Sequence, residues 1–205
     1  MLSAERITWL IRQGTLKWAG RLRGDGLLLT LGSPLQPLAA PGTRVVDLAD
    51  QTDIDGLYGE PVTDWRTYEL KPGELLLGAV EEPLGLGAGL TGTIGGLSHL
   101  ARVGLAVHVT SPFVLPGWNG HLTLELVNTG PAVLRLHHGM PLARLLVHAL
   151  DGTPSDGGAR SGGGAHVGHG HDGRGDTAAP HPFYGRAADL KSRYADEFPV
   201  GPNRR

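Results

Sequence analysis

The stretch GWNGHLTLELVNTG, Gly117–Gly130, carries one carboxylate, Glu125. Leu122, Leu124 and Leu126 alternate with His121, Thr123, Glu125 and Val127, the period of two that marks a half-buried strand. By that pattern alone Glu125 is an outward, solvated charge, as most carboxylates on the polar face of a strand are. Within hydrogen-bond reach of a reacting group, the same side chain could instead shuttle protons.

Other candidate chemistry is weaker. GAGLTG, with Gly87, Gly89 and Gly92, has dinucleotide-binding glycine spacing, but it opens no long helix and has no acidic residue at the needed distance, so it reads as a loop. GLSHL is similar to a nucleophile elbow, yet Leu100 stands where that motif needs glycine. His166, His169 and His171 could chelate a metal adventitiously, whereas a catalytic zinc needs ligands on a rigid frame. His108, between Val107 and Val109, reads as a strand-face histidine making structural hydrogen bonds.

These residues need elements to position them. Ser3 is placed to cap a short amphipathic helix in which Glu5 suits the positive end of the dipole and Ile7, Leu10 and Ile11 share a face. Gly14 is a natural stop. From there to about residue 150 the pattern predicts short strands: GLLLTLG, TRVVDLA, TYEL, GELLLGAV, AVHVT, HLTLELVN, AVLRLHH and LARLLVHAL. Turn-forming separators such as KPGE, LPGWNG, NTGPA and HHGMP divide them, and a second short helix is expected from Ser98. This spacing indicates an all-β sandwich or barrel.

The 205 residues suggest one domain with appendages, and a hydrophobic share of 40% suffices for a core. Residues 151–180 are rich in glycine and histidine with almost no large apolar side chain, the composition of a flexible linker. Residues 181–205, with Phe183, Tyr184, Tyr194 and Phe198, read as a tail that docks on something. A formal charge of −2 argues against a nucleic-acid binder. No apolar run approaches the ~20 residues that span a bilayer. The opening MLSAERITWLIRQG has neither the basic region nor the cleavage site of a signal peptide. The absence of cysteine fits a cytoplasmic protein and rules out thiolate chemistry.

Residues 95–148 resemble the dCTP deaminase branch of the dUTPase superfamily. The family's Gly-Arg/Lys-Ser-Ser-Leu-Ala-Arg-Leu-Gly-Leu loop has its counterpart in Gly96–Leu105, and its His-Val-Thr-Ala strand in Val107–Ser111. The Asp-Pro-Gly-Phe/Trp-x-Gly turn corresponds to Leu115–Gly120, the Leu-Glu-Leu/Phe-x-Asn strand to Leu124–Asn128, and the Pro-Gly-Met turn to Gly139 and Met140. LSAERITWLIRQGTLKW is similar to the family's opening helix, and HPFYGRAADLKSRY to its C-terminal lid.

The resemblance implies a mainly β, dUTPase-like distorted barrel or jelly roll. Its core domain would cover residues 1–150, with the lid at 181–205, in a homotrimer whose active sites lie between subunits. It implies Glu125 as general acid/base, with Ser98 and the backbone carbonyl near Ser111 orienting the attacking water and Arg102 holding the glutamate. His99, Thr110 and Ser111 would contact substrate, Val114 and Trp118 would wall the base pocket, and Tyr184, Arg186, Arg193 and Tyr194 would close over the triphosphate, for which arginine is geometrically suited. Magnesium would arrive on the phosphates rather than in a protein cage, with no tightly bound cofactor. Without cysteine, the His/Cys/Cys zinc site of other deaminases cannot be built, so a metal-free mechanism is implied.

The chain also departs from the pattern. Leu97 replaces a basic residue that meets phosphate, His99 the second serine, Leu115 the aspartate that contacts the sugar, and Glu197 a lid glutamine. The expected activity is deamination of dCTP or a modified cytosine nucleotide. The alternatives are a catalytically impaired nucleotide-binding trimer and a bifunctional deaminase-diphosphatase.

Overall fold

The computed structural model describes residues 1–38 and 45–152. The first element is α1 (Ala4–Arg12), where the Ser3 side chain accepts from the Arg6 amide, Glu5 sits in the first turn and Arg12 in the last. Ile7 and Leu10 are its buried face, and Gly14 stops it at φ +74°, a conformation that costs glycine little.

Twelve strands follow: β1 (Leu16–Lys17), β2 (Leu27–Pro37), β3 (Thr67–Leu70), β4 (Leu75–Val80), β5 (Leu84–Leu86), β6 (Leu90–Gly96), β7 (Leu105–Ala106), β8 (Phe113–Val114), β9 (Asn119–Gly120), β10 (Thr123–Asn128), β11 (Leu134–His137) and β12 (Pro141–Ala149). Two short helices interrupt them, α2 (Gln51–Asp55) and α3 (Ser98–Ala101). The mainly β expectation is met, with every strand pairing antiparallel.

One seven-stranded sheet runs β7-β10-β4-β2-β12-β6-β8, beside a three-stranded sheet β1-β5-β9 and a two-stranded sheet β11-β3. The core that joins them is leucine-rich, from Ile7 on α1 to Val147 on β12. A register shift in the β2–β4 pairing between Leu31 and Leu35 interrupts the ladder. Just before it, Thr30 donates its amide and hydroxyl to the Glu82 carboxylate at 3.0 and 2.7 Å, which keeps these buried polar groups satisfied.

Three expectations are corrected. Residues 45–49 of TRVVDLA form a turn leading to α2, which Asp50 caps by accepting from the Thr52 amide. Leu90–Gly96, half of it read as a loop, is a strand, because Leu90 to Gly96 pair residue by residue with Ala149 to Ala143 on β12. Gly92 is needed there, since a Cβ would lie 2.6 Å from Leu145 Cδ1. AVHVT is strand only at Ala106, the last residue of β7, and the chain bends away from Val107 onward. Of the expected linker and tail, only Asp151 and Gly152 fall among the described residues.

Candidate functional site

β10 is held between β4 and β7, with Glu125 in register with Leu77 of β4. Leu122, Leu124 and Leu126 are 3%, 0% and 0% exposed, so the inward leucines pin the strand and leave Thr123, Glu125 and Val127 half-buried on the other face. β7 pairs Ala106 with Val127 and Leu105 with Asn128, a register that points His108 back toward the level of Glu125. The bend after β7 then turns the Val109 N–H onto Glu125, donating to Oε2 at 3.3 Å. Glu125 is thus a carboxylate oriented by a backbone donor rather than by a cation.

His108 differs from its strand-face reading, since its Nδ1 is buried and has no hydrogen-bond partner. A buried ring nitrogen without a partner, on the residue next to the Val109 donor of Glu125, is a group that a ligand could satisfy. The role of Val109 as the donor to Glu125 has no signal in the sequence, because it rests on the bend after β7, which the alternating pattern does not show.

α3 presents the second set of candidates. Its N-cap is Leu97, which is 4% exposed and makes no side-chain cap. Ser98 is therefore the first helical residue and not the cap, so its hydroxyl is not taken up in capping. Ser98, His99 and Arg102 are all exposed, and the spacing of four between Ser98 and Arg102 puts them on one side of the turn. Leu97 itself packs inward, its amide donating to the Leu142 carbonyl at 3.1 Å, so the leucine that replaces a basic residue is a core residue here. Among the described residues neither Arg102 nor Ser98 bonds Glu125 within the chain. The two sets are joined where the α3–β7 junction meets the end of β10, through the Thr129 amide and hydroxyl, which both donate to the Gly104 carbonyl.

The remaining candidates lie on the segment from Thr110 to Trp118. Thr110 and Ser111 are exposed. Val114 is 2% exposed and belongs to the core, its carbonyl accepting from Thr91 Oγ1 at 2.8 Å, so it does not form an open wall in this chain. Trp118 is half-buried against the core, and its indole N–H donates to the Gly120 carbonyl at 3.2 Å. Val109, Phe113 and Leu115 project apolar side chains at 54%, 67% and 45% exposure around them. Tyr184, Arg186, Arg193 and Tyr194 lie outside the described residues, as do the histidines of the linker and Glu197. Among the described residues, no group of three or more histidines and carboxylates is arranged to hold a metal ion.

The far end of β10 is anchored by Asn128, which is fully buried. Its Nδ2 donates to the carbonyls of Leu70 and Ala132 at 2.9 and 2.7 Å, and its Oδ1 accepts from the Gly130 amide at 3.0 Å. The neighbouring turn is closed by Glu74, which accepts from the Tyr68 hydroxyl at 2.6 Å and from the Lys71 amide at 2.8 Å. Burial, then the hydrogen bond to Glu74 and its charge, push the Tyr68 phenol well above its usual pKa.

Comparison with known proteins adds four findings. A family model described as dCTP deaminase-like matches residues 1–150. A dCTP deaminase of Aeromonas hydrophila is 35% identical over 121 residues, 59% of this chain and 61% of that protein. A dCTP deaminase, dUMP-forming, of Corynebacterium jeikeium is 42% identical over 89 residues, 43% of this chain and 47% of that one. The chain therefore spans less than two thirds of the length of these curated relatives. The crystal structure of 2'-deoxycytidine 5'-triphosphate deaminase from Agrobacterium tumefaciens superposes with a TM-score of 0.56 at 22% identity, covering 72% of this chain and 48% of that chain.

Proposed function

The chain belongs to the dCTP deaminase-like family, and from that premise we propose that it hydrolyses the C4 amine of dCTP, or of a modified cytosine nucleotide, to give the uracil nucleotide and ammonia. The observation that carries this reading is Glu125, half-buried on a strand paired on both sides and oriented by the Val109 amide.

In the proposed reaction water adds to C4 while Glu125 takes its proton. The carboxyl group passes a proton to N3 and assists protonation of the departing amine, and ammonia leaves as the C4 carbonyl forms. A positioned carboxylate contributes ~10²–10⁴-fold to such proton transfers. Ser98 orients the water and Arg102 holds the glutamate. Both are exposed and make no contact with Glu125 in their own chain, which supports a homotrimer whose site draws α3 and β10 from different subunits. The exposed apolar side chains of Val109, Phe113 and Leu115 on the same segment support that contact. Magnesium is carried in on the triphosphate, neutralising its charge. With Leu97 packed inward, His99 is the exposed basic side chain on α3 left to meet phosphate.

The dUMP-forming relative supports a second reading, in which deamination is coupled to loss of pyrophosphate. One assay serves both: the protein with dCTP and magnesium, followed for ammonia and for the nucleotide product. Ammonia with dUTP is the expected outcome, and ammonia with dUMP and pyrophosphate selects the coupled reaction. A folded protein that releases no ammonia from dCTP, CTP, dCMP or 5-methyl-dCTP overturns the deaminase reading and leaves a nucleotide-binding role.

A further inference from the structure

The α3–β7 junction crosses the end of β10 at two glycines. Gly104 has φ +95°, and a Cβ there would lie 2.4 Å from the Gly130 amide nitrogen and 2.6 Å from its Cα. A Cβ on Gly130 would in turn lie 2.7 Å from the Val103 carbonyl oxygen. The two backbones therefore touch with no side chain between them. At this crossing the Gly104 carbonyl accepts twice from one residue, from the Thr129 amide at 2.8 Å and the Thr129 hydroxyl at 3.0 Å.

On one side the crossing is continuous with α3. The Gly104 amide donates to the Ala101 carbonyl at 3.0 Å, and the Arg102 amide to the Ser98 carbonyl at 3.1 Å. On the other side it is continuous with β10, whose last residue, Asn128, is bonded on three sides. Thr129 is exposed and contributes nothing to the core, and its hydroxyl has no other hydrogen-bond partner among the described residues. Its amide bond already secures the crossing, so the second bond restricts how α3 can pivot about that point.

We infer that Thr129 is a positioning residue: its hydroxyl bond to the Gly104 carbonyl fixes the placement of Ser98 and Arg102 relative to Glu125. The inference rests on the deaminase reading above. Proton transfer is sensitive to displacements of about 1 Å, which can cost ~10²-fold in rate. In the proposed trimer α3 meets a neighbour's glutamate, and because the crossing ties α3 to β10 within each subunit, it fixes the relative positions at which every subunit presents Ser98 and Arg102 to one neighbour and Glu125 to the other.

The test compares the full chain with Thr129→Val, which keeps the shape and removes the hydroxyl, and Thr129→Ser, which keeps the hydroxyl. Rates of ammonia release from dCTP with magnesium are measured together with thermal midpoints. Thr129→Val is expected to lower kcat about tenfold, with KM and the thermal midpoint close to those of the native protein, and Thr129→Ser to recover most of the rate. A native kcat in Thr129→Val overturns the inference, as does an equal loss in both variants or a loss that follows the thermal midpoint. A native protein that releases no ammonia removes the deaminase reading itself, and this inference with it.

Discussion

Glu69 on β3 and Glu125 on β10 are both carboxylates pointing away from the core on antiparallel strands. Glu69 stands directly opposite Arg135 of β11, and the guanidinium donates to it at 2.8 Å. Both side chains are well exposed, at 59% and 64%. This is an ordinary cross-strand ion pair, screened by water and salt. Glu125 stands opposite Leu77 and is half-buried, and the donor that reaches it is the Val109 amide. A surface pair satisfies a charge with another mobile charge. A fixed backbone donor holds a carboxylate in one direction and leaves it available to something else.

The sharpest way to break this contrast is to remove each charge with little change of shape. Glu125→Gln is expected to lower ammonia release from dCTP by at least ~10²-fold with an unchanged fold, while Glu69→Gln turns over like the native protein. Equal rates in the two variants would erase the difference drawn here. The inward face of β10 should respond in stability instead: Leu124→Ala removes a fully buried side chain and is expected to cost roughly 2–5 kcal/mol in denaturant unfolding.

Glu74 offers a third carboxylate, one whose partner titrates. The Tyr68 hydroxyl it accepts from has its pKa raised in the folded protein, so this contact stabilises the fold fully below the unfolded-state pKa of ~10 and progressively less as pH rises above it. Unfolding measured as a function of pH should show that decline in the native protein and lack this contribution in Tyr68→Phe, which is expected to lose about 1 kcal/mol at neutral pH. The smallest effect belongs to the surface pair. Arg135→Ala should change stability by less than about 1 kcal/mol, and by less still in high salt.

Local signals in the chain were reliable where the physics is local. Ser3, Glu5, the apolar stripe through Ile7 and Leu10, and Gly14 specify α1 without help from the rest of the molecule. The leucine alternation of β10 likewise predicts which residues face inward. β6 was legible only in part, because Gly92 looks like part of a turn until Leu145 of β12 is seen to occupy the space its side chain would take. TRVVDLA has strand-forming residues, yet those described after Thr43 and Arg44 form the approach to α2, where Asp50 acts as a cap. The short helix expected from Ser98 is α3, although its N-cap is the buried Leu97, which offers no side-chain cap.

The sequence by itself determined that Glu125 lies on the outward face of a strand, since side-chain alternation is a property of the extended backbone. It also carried the family resemblance that makes that glutamate the candidate for proton transfer. Which groups surround the carboxylate was decided only by tertiary structure. The Val109 amide reaches it because the chain bends after two residues of β7. Thr129 meets Gly104 because two glycines let distant backbones touch. Such contacts join residues far apart in the chain, and no local preference of either partner encodes them.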